Sequence, residues 1–204
     1  LRYATICSNA GFMGNPVVEG IYGSQGLLYA SVYLIPLRIF MWSAGLSCFT
    51  VASPKDIVKK LVHHPCIIAV VIGMALMPFP DVVPSFLLQT MQSCSKCVLP
   101  VSMIVIGSIL SEADIRKMLK GSTLFYCVVR LLGIPAVTMV VCRLLGMGAL
   151  VTGVCTILAG MPAGSTTAIL AEKYDGDAKY ASECVFLSTV LSLFTMPLLY
   201  MILA

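Results

Sequence analysis

The sequence is poor in charged residues. Only 11% of its 204 residues are Asp, Glu, Lys or Arg, whereas 59% are hydrophobic and the mean hydropathy is +0.98. Soluble domains carry about 25% charged residues, so this composition excludes a water-soluble globular domain. The net charge of +4 is small, and most of the basic residues cluster in short polar connections, which gives no sign of a nucleic-acid partner. We predict an all-α polytopic membrane protein embedded in the lipid bilayer.

Patterns that carry enzyme or metal chemistry are also scarce. Histidine occurs twice, as the adjacent pair His63 and His64, whose side chains would point in different directions on a helix, so a zinc site is disfavoured. We find no Ser/His/Asp arrangement, no phosphate-binding loop and no paired carboxylates. The sequence therefore predicts no catalytic residue, cofactor or metal. One alternative stays open: Cys94 and Cys97 form a C-x-x-C around a lysine, a spacing used by membrane thiol oxidoreductases.

Long apolar segments are abundant. A transmembrane helix needs about 20 apolar residues. By that measure the segments lie at approximately 2–22, 27–49, 65–79, 84–110, 121–145, 149–172 and 178–203. Lysine and arginine concentrate in the connections 50–64 and 111–120 and directly after the sixth segment. These connections share one side if every segment crosses once, and the positive-inside rule makes that side cytoplasmic.

Two of the apolar segments are interrupted by helix-breaking residues. The first contains CSNAGFMGNP at 7–16 and the second LAGMPAGSTT at 158–167. Proline removes a backbone donor and clashes with the preceding turn. The backbone groups freed at membrane depth must then lie inside protein or line a wet cavity. Paired interruptions of this kind indicate the substrate site of a secondary transporter.

Neutral polar residues flank both interruptions and can orient a ligand without a buried charge. They are Asn9 and Asn15 in the first and Ser165 and Thr166 in the second.

The residues around the interruptions resemble the auxin efflux carrier family. SNAGFMGNP at 8–16 is similar to its fourth helix, PVSM at 100–103 to its seventh, and MPAG at 161–164 with AEKY at 171–174 and VFLST at 185–189 to its ninth and tenth. The resemblance covers the whole chain. It implies part of a ten-helix inverted-repeat transporter fold, similar to bile-acid symporters and Na⁺/H⁺ antiporters, in which two broken helices cross near the membrane centre.

The resemblance also implies a division of the chain. Residues 1–49 would be the last two helices of the first repeat, 50–64 a cytoplasmic loop, and 65–204 the five-helix second repeat. The chain starts with Leu1, so about three N-terminal helices are expected to be missing. The loop 50–64 is far shorter than the corresponding loop of the plant carriers, which favours a bacterial carboxylate-permease type.

Substrates of the family are organic anions such as malate, malonate or indole-3-acetate. By position, Asn9 matches the family asparagine that contacts the substrate carboxylate, and Pro16 and Pro162 match the crossing prolines. Asn15 departs from the apolar residue usual before the first proline. We therefore predict a plasma-membrane carrier of small organic anions that works by alternating access, is not an enzyme, and is compatible with a homodimer.

Ionisable residues inside apolar segments are functional candidates because stranding a charge there is costly. Lys96 lies in a polar run four residues before Pro100, so we predict that it contacts the anion or a coupling ion. Glu183, one turn into the last segment, is a second candidate for coupling to H⁺ or Na⁺. For Arg38 and Arg130, an ion pair or a side chain reaching towards the membrane surface is favoured over substrate contact.

Overall fold

The computed structural model describes residues 2–42, 44–45, 48–49, 63, 65–76, 78–79, 82–111 and 120–203. Its α-helices are α1 (Arg2–Ile6), α2 (Asn15–Trp42), α3 (Pro65–Leu76), α4 (Ser85–Ser111), α5 (Gly121–Leu144), α6 (Ala149–Gly160), α7 (Thr166–Lys173) and α8 (Ala178–Leu203). The predicted helical class is confirmed, since the described residues contain no strand beyond one isolated β-bridge.

Membrane-spanning character is clearest in two of these helices. Among the described residues, α5 and α8 are long and apolar enough to cross a bilayer, and α6 is a shorter apolar helix. Large apolar side chains on α5 and α8 stay exposed, including Phe125 and Phe194, each more than 70% exposed, which suits contact with lipid. Most of the seven predicted spans and the ten-helix repeat remain predictions.

The first interruption separates α1 from α2. Cys7 and Ser8 leave the helical path after α1, and a π-helical turn at Ala10–Gly14 leads into α2. Pro16 is the second residue of α2, and because it has no N–H it cannot continue the hydrogen bonds that run from the π-helical turn into α2. Helix α2 is itself divided at Gly23, whose φ of 64° lies in the left-handed region that glycine tolerates.

The second interruption separates α6 from α7. The residue before a proline is pushed towards extended backbone, and Met161, with φ of −59° and ψ of 148°, ends α6 in this way. Residues 162–164 are extended, and α7 starts again at Thr166. The local chemistry of Pro162 thus explains why an apolar segment long enough for one helix forms two.

The core joins both interruptions. One buried cluster brings Ala4 of α1 together with Tyr126 of α5, Ala163, and Val185 of α8. A second cluster joins the π-helical turn and α2 to α6, through residues such as Ala10, Val18 and Leu158. Since each cluster contains residues from the start and the end of the chain, burial of apolar surface holds the two interruptions together.

Gly160 offers a test of this packing. A Cβ at Gly160 would lie 2.7 Å from Leu199 Cδ1 and 3.3 Å from Pro135 Cβ, on two neighbouring helices. We expect Gly160→Val to lower the free energy of unfolding by about 1–3 kcal/mol, the usual cost of overpacking. Thermal unfolding in detergent measures the change. Gly148→Ala, where a Cβ meets nothing within 4 Å, is the control, and equal melting temperatures for both variants would contradict the packing described.

Candidate functional site

The two interruptions hydrogen-bond to each other through their backbones. Ser8 and Ala163 form an antiparallel bridge. The Asn9 N–H donates to the Pro162 carbonyl oxygen at 2.8 Å, and the Gly164 N–H donates to the Cys7 carbonyl oxygen at 3.0 Å. Backbone groups that leave a helix in an apolar environment must find other partners, and here each interruption supplies partners for the other.

Side-chain hydroxyls strengthen this junction. Ser8 Oγ donates to the Leu158 carbonyl oxygen at 3.2 Å, near the end of α6. Ser188 Oγ of α8 accepts from the Ala163 N–H at 3.1 Å and donates to the Val185 carbonyl oxygen. Sequence reasoning did not single out Ser8 or Ser188. Ser8 lies within the first interruption in the sequence, whereas Ser188 lies on α8, and the hydrogen-bond partners of both follow only from the tertiary packing.

A cavity of about 620 Å³ opens beside the junction. Its polar wall combines both interruptions with one face of α2 and consists of Ser8, Asn9, Asn15, Ser31, Arg38, Ser165 and Thr166. Its apolar wall includes Phe12, Leu28, Ile35 and Met41. Apolar walls with a few convergent polar groups are typical of small-molecule sites. Four predicted site residues, Asn9, Asn15, Ser165 and Thr166, therefore meet in one cavity.

Three of these polar side chains, those of Asn9, Asn15 and Ser165, have buried atoms without a hydrogen-bond partner in the described structure. Asn9 is 2% exposed and Ser165 is 1% exposed. The Asn9 Oδ1 and Nδ2 atoms and the Ser165 Oγ atom make no hydrogen bond within the described part of the chain. Most buried polar groups in proteins are paired. Unpaired donors beside a cavity are therefore available to a ligand.

The other predicted site residues lie apart from the cavity wall. Pro162 contributes through its carbonyl oxygen to the junction, and Pro16 is exposed in the first turn of α2. Lys96 is exposed on α4, as are Cys94 and Cys97, which are free thiols. The structure does not bring Lys96 together with Asn9 and Ser165 in the cavity. Contact between Lys96 and the substrate remains a prediction that the geometry does not support.

Glu183 is buried on α8, away from the cavity lining. It is 1% exposed, and its Oε2 atom lies 3.7 Å from Lys120 Nζ, whose side chain is 54% exposed. The buried Glu183 carboxylate therefore has one half-exposed cationic partner, next to the start of α5.

The two arginines inside apolar segments have different surroundings. Arg130 is buried, and its Nη1 atom donates to the Thr5 carbonyl oxygen of α1 at 2.9 Å, which places a positive charge at the end of that helix. Arg38 instead lines the cavity. The sequence contained a signal for this position, because Leu28, Ser31, Ile35 and Arg38 follow a helical repeat of three or four residues and share one face of α2.

Comparison with known proteins agrees with this picture. Residues 48–200 match the family described as membrane transport protein. The chain is 30% identical over 202 residues to an uncharacterized transporter of Methanothermobacter thermautotrophicus and 24% identical over 207 residues to one of Methanocaldococcus jannaschii. Each match covers 97% of this chain, and the chain spans 66% of the length of each relative.

The family assignment predicted from residues 8–16 and 161–164 is confirmed. Three findings support one conclusion. The family matches most of the chain, two relatives are named as transporters, and two described helices are long and apolar enough to cross a bilayer. The chain belongs to the membrane transport protein family, of the auxin efflux carrier type.

Proposed function

We propose that the protein is a secondary transporter of small organic anions that binds its substrate in the cavity beside the junction. The observation that carries this proposal is the set of buried, unpaired groups of Asn9 and Ser165, one from each interruption, at a single cavity. An amide N–H and a hydroxyl both donate to a carboxylate. Because both groups are buried and unpaired, they gain hydrogen bonds when an anion enters.

Helix α7 adds a favourable field. Gly164, Ser165 and Thr166 line the cavity at the start of this eight-residue helix. The N-terminus of a helix carries a partial positive charge, which favours an anion over a cation. Together with the Asn9 side chain, this makes a negatively charged substrate the best match.

Several finer features belong to the same proposal. Malate, malonate and auxin-like carboxylates are the candidate substrates, and the short connection 50–64 favours the bacterial carboxylate-permease type. Transport would proceed by alternating access in a ten-helix fold, with residues 1–49 and 65–204 in successive repeats. The proposal also includes a multi-pass position in the plasma membrane and a homodimer. Transport would be coupled to H⁺ or Na⁺ through Lys96 or Glu183.

Uptake into proteoliposomes tests the proposal. The complete gene product is reconstituted, and uptake of radiolabelled malate, malonate and indole-3-acetate is measured with and without a pH gradient. We expect saturable uptake of at least one anion. The double variant Cys94→Ala/Cys97→Ala distinguishes a transporter from a thiol oxidoreductase. A transporter that lacks both thiols should still take up the anion normally. Absence of uptake of all three anions, with thiol oxidation lost in the double variant, would overturn the transporter assignment in favour of the enzyme.

Glu183 gives a prediction about coupling. We expect Glu183→Gln to abolish the stimulation of uptake by an imposed pH gradient, because glutamine cannot carry a proton, while anion exchange without a gradient continues. Lys120→Gln is the control, since it removes the same ion pair but keeps the carboxyl group. Equal loss of gradient-free exchange in both variants would show that the pair is structural and that Glu183 does not couple transport.

A further inference from the structure

Arg38 is the cationic residue of the cavity lining. Lys96 and Lys120 lie outside the cavity, and among the described lining residues Arg38 is the only lysine or arginine. Within the described chain, no carboxylate lies within ion-pair distance of its guanidinium group. Arg38 lies near the end of α2 (Asn15–Trp42), and its side chain is exposed. An arginine inside an apolar segment is a candidate for function, because stranding its charge there is costly.

Gly11 allows the guanidinium group to approach the first interruption. A Cβ placed on Gly11 would lie 3.6 Å from Arg38 Nη2. Gly11 belongs to the π-helical turn that directly follows Asn9. The Arg38 guanidinium group therefore lies close to the backbone two residues after Asn9, and a side chain larger than alanine at position 11 would meet that group.

The chemistry of the cavity lining suits one carboxylate. Arginine presents a planar fork of N–H donors that matches the two carboxylate oxygens. Asn9 and Ser165 offer two further donors that have no other partner in the described structure. One fixed positive charge balances one carboxylate, and the rest of the wall is largely apolar.

We propose that Arg38 binds the carboxylate of the transported anion and that Gly11 is the small residue that gives Arg38 access to it. This inference rests on the proposed function. Arg38 then selects for charge, whereas the apolar wall contacts the body of the substrate. The prediction specific to this role is discrimination between a carboxylate and the matching uncharged amide.

The test measures binding to the purified complete gene product by scintillation proximity. The probes are radiolabelled indole-3-acetate and its neutral analogue indole-3-acetamide, or malonate and malonamide where malonate is the anion transported. We expect Arg38→Gln to weaken carboxylate binding by about 10- to 100-fold, in line with the loss of charge-assisted hydrogen bonds. Amide binding should change less than about threefold. Arg38→Lys, which keeps the charge but not the fork, should fall between Arg38→Gln and the unmodified protein.

Two further variants complete the design. Gly11→Leu should weaken carboxylate binding by about tenfold or more, while Gly11→Ala should bind nearly normally because its Cβ makes an ordinary contact. Arg143→Gln removes an exposed arginine outside the cavity and controls for the change in net charge. If Arg38→Gln is poorly folded, judged by size-exclusion chromatography, the Gly11 pair carries the test alone.

The outcomes separate the two proposals. Normal carboxylate binding by Arg38→Gln, or equal weakening of carboxylate and amide, would overturn the role of Arg38 while the transporter proposal stands. No saturable binding or uptake of any carboxylate by the unmodified protein would overturn the proposed function itself.

Discussion

Replacing Asn9 with alanine is expected to lower organic-anion uptake by about 10- to 100-fold, the effect of losing a hydrogen bond to a charged group. The same change should leave the melting temperature equal or higher. The Asn9 side-chain atoms are buried and make no hydrogen bond in the described structure, so their removal costs no hydrogen bond and relieves two unpaired polar atoms. A residue that serves the ligand and not the fold should show this opposition between activity and stability.

A matched control exists for Asn9. Thr156 is also buried, its Oγ1 atom is also without a partner, and it does not line the cavity. Thr156→Val should therefore match Asn9→Ala in stability but keep normal uptake. Uptake and thermal unfolding, measured on the same preparations, check both variants. Normal uptake by Asn9→Ala would remove the main support for the proposed site.

Replacing Gly164 with valine is expected to give the largest loss of stability, about 2–4 kcal/mol, together with loss of anion binding. A Cβ at this position would lie 3.2 Å from the Cys7 carbonyl oxygen and 3.5 Å from that of Ser8, so the branched side chain would push the two interruptions apart. It would also weaken the hydrogen bond from the Gly164 N–H to Cys7. Thermal unfolding and anion binding by scintillation proximity measure the two effects.

Gly121 provides the comparison for Gly164. A Cβ at Gly121 meets nothing within 4 Å, and the residue starts α5 far along the chain from either interruption. Gly121→Val should change stability by less than about 1 kcal/mol, since only intrinsic helix preference is affected. If Gly164→Val unfolds at the same temperature as Gly121→Val and still binds the anion, the close backbone contact at the junction is not required.

The interruptions were predictable because their causes are local. Pro162 favours extended backbone at Met161, and Pro16 removes a backbone donor where the π-helical turn meets α2. Once the backbone leaves the helix in an apolar environment, its polar groups need partners. The same logic placed Asn9, Asn15, Ser165 and Thr166 near a site, and the structure brings them to one cavity. The cavity itself could not be predicted, because it joins segments more than a hundred positions apart in the sequence.

Lys96 and Arg38 show where local reasoning fails. The polar run before Pro100 suggested that Lys96 faces the protein interior, yet the described α4 packs mainly against α8 and leaves Lys96 exposed. For Arg38, the repeat through Leu28, Ser31 and Ile35 defined a face of α2, but the sequence does not say what that face contacts. Which side of a helix is buried depends on the helices that pack against it. Both polar and apolar surfaces occur in a transporter interior, so the sequence of one helix does not decide this.

We propose that both interruptions bind the same anion. The most direct test is whether that anion protects cysteines introduced into each interruption from chemical labelling. Phe12→Cys places a thiol in the first interruption and Thr166→Cys one beside the second, and both positions line the cavity. Labelling by a small methanethiosulfonate reagent is followed by peptide mass spectrometry, with the native exposed Cys94 as internal control.

In variants that retain uptake, the transported anion should slow labelling at positions 12 and 166 with the same half-maximal concentration. Labelling of Cys94 should not change. Protection at only one of the two positions, or at neither, would contradict a shared site.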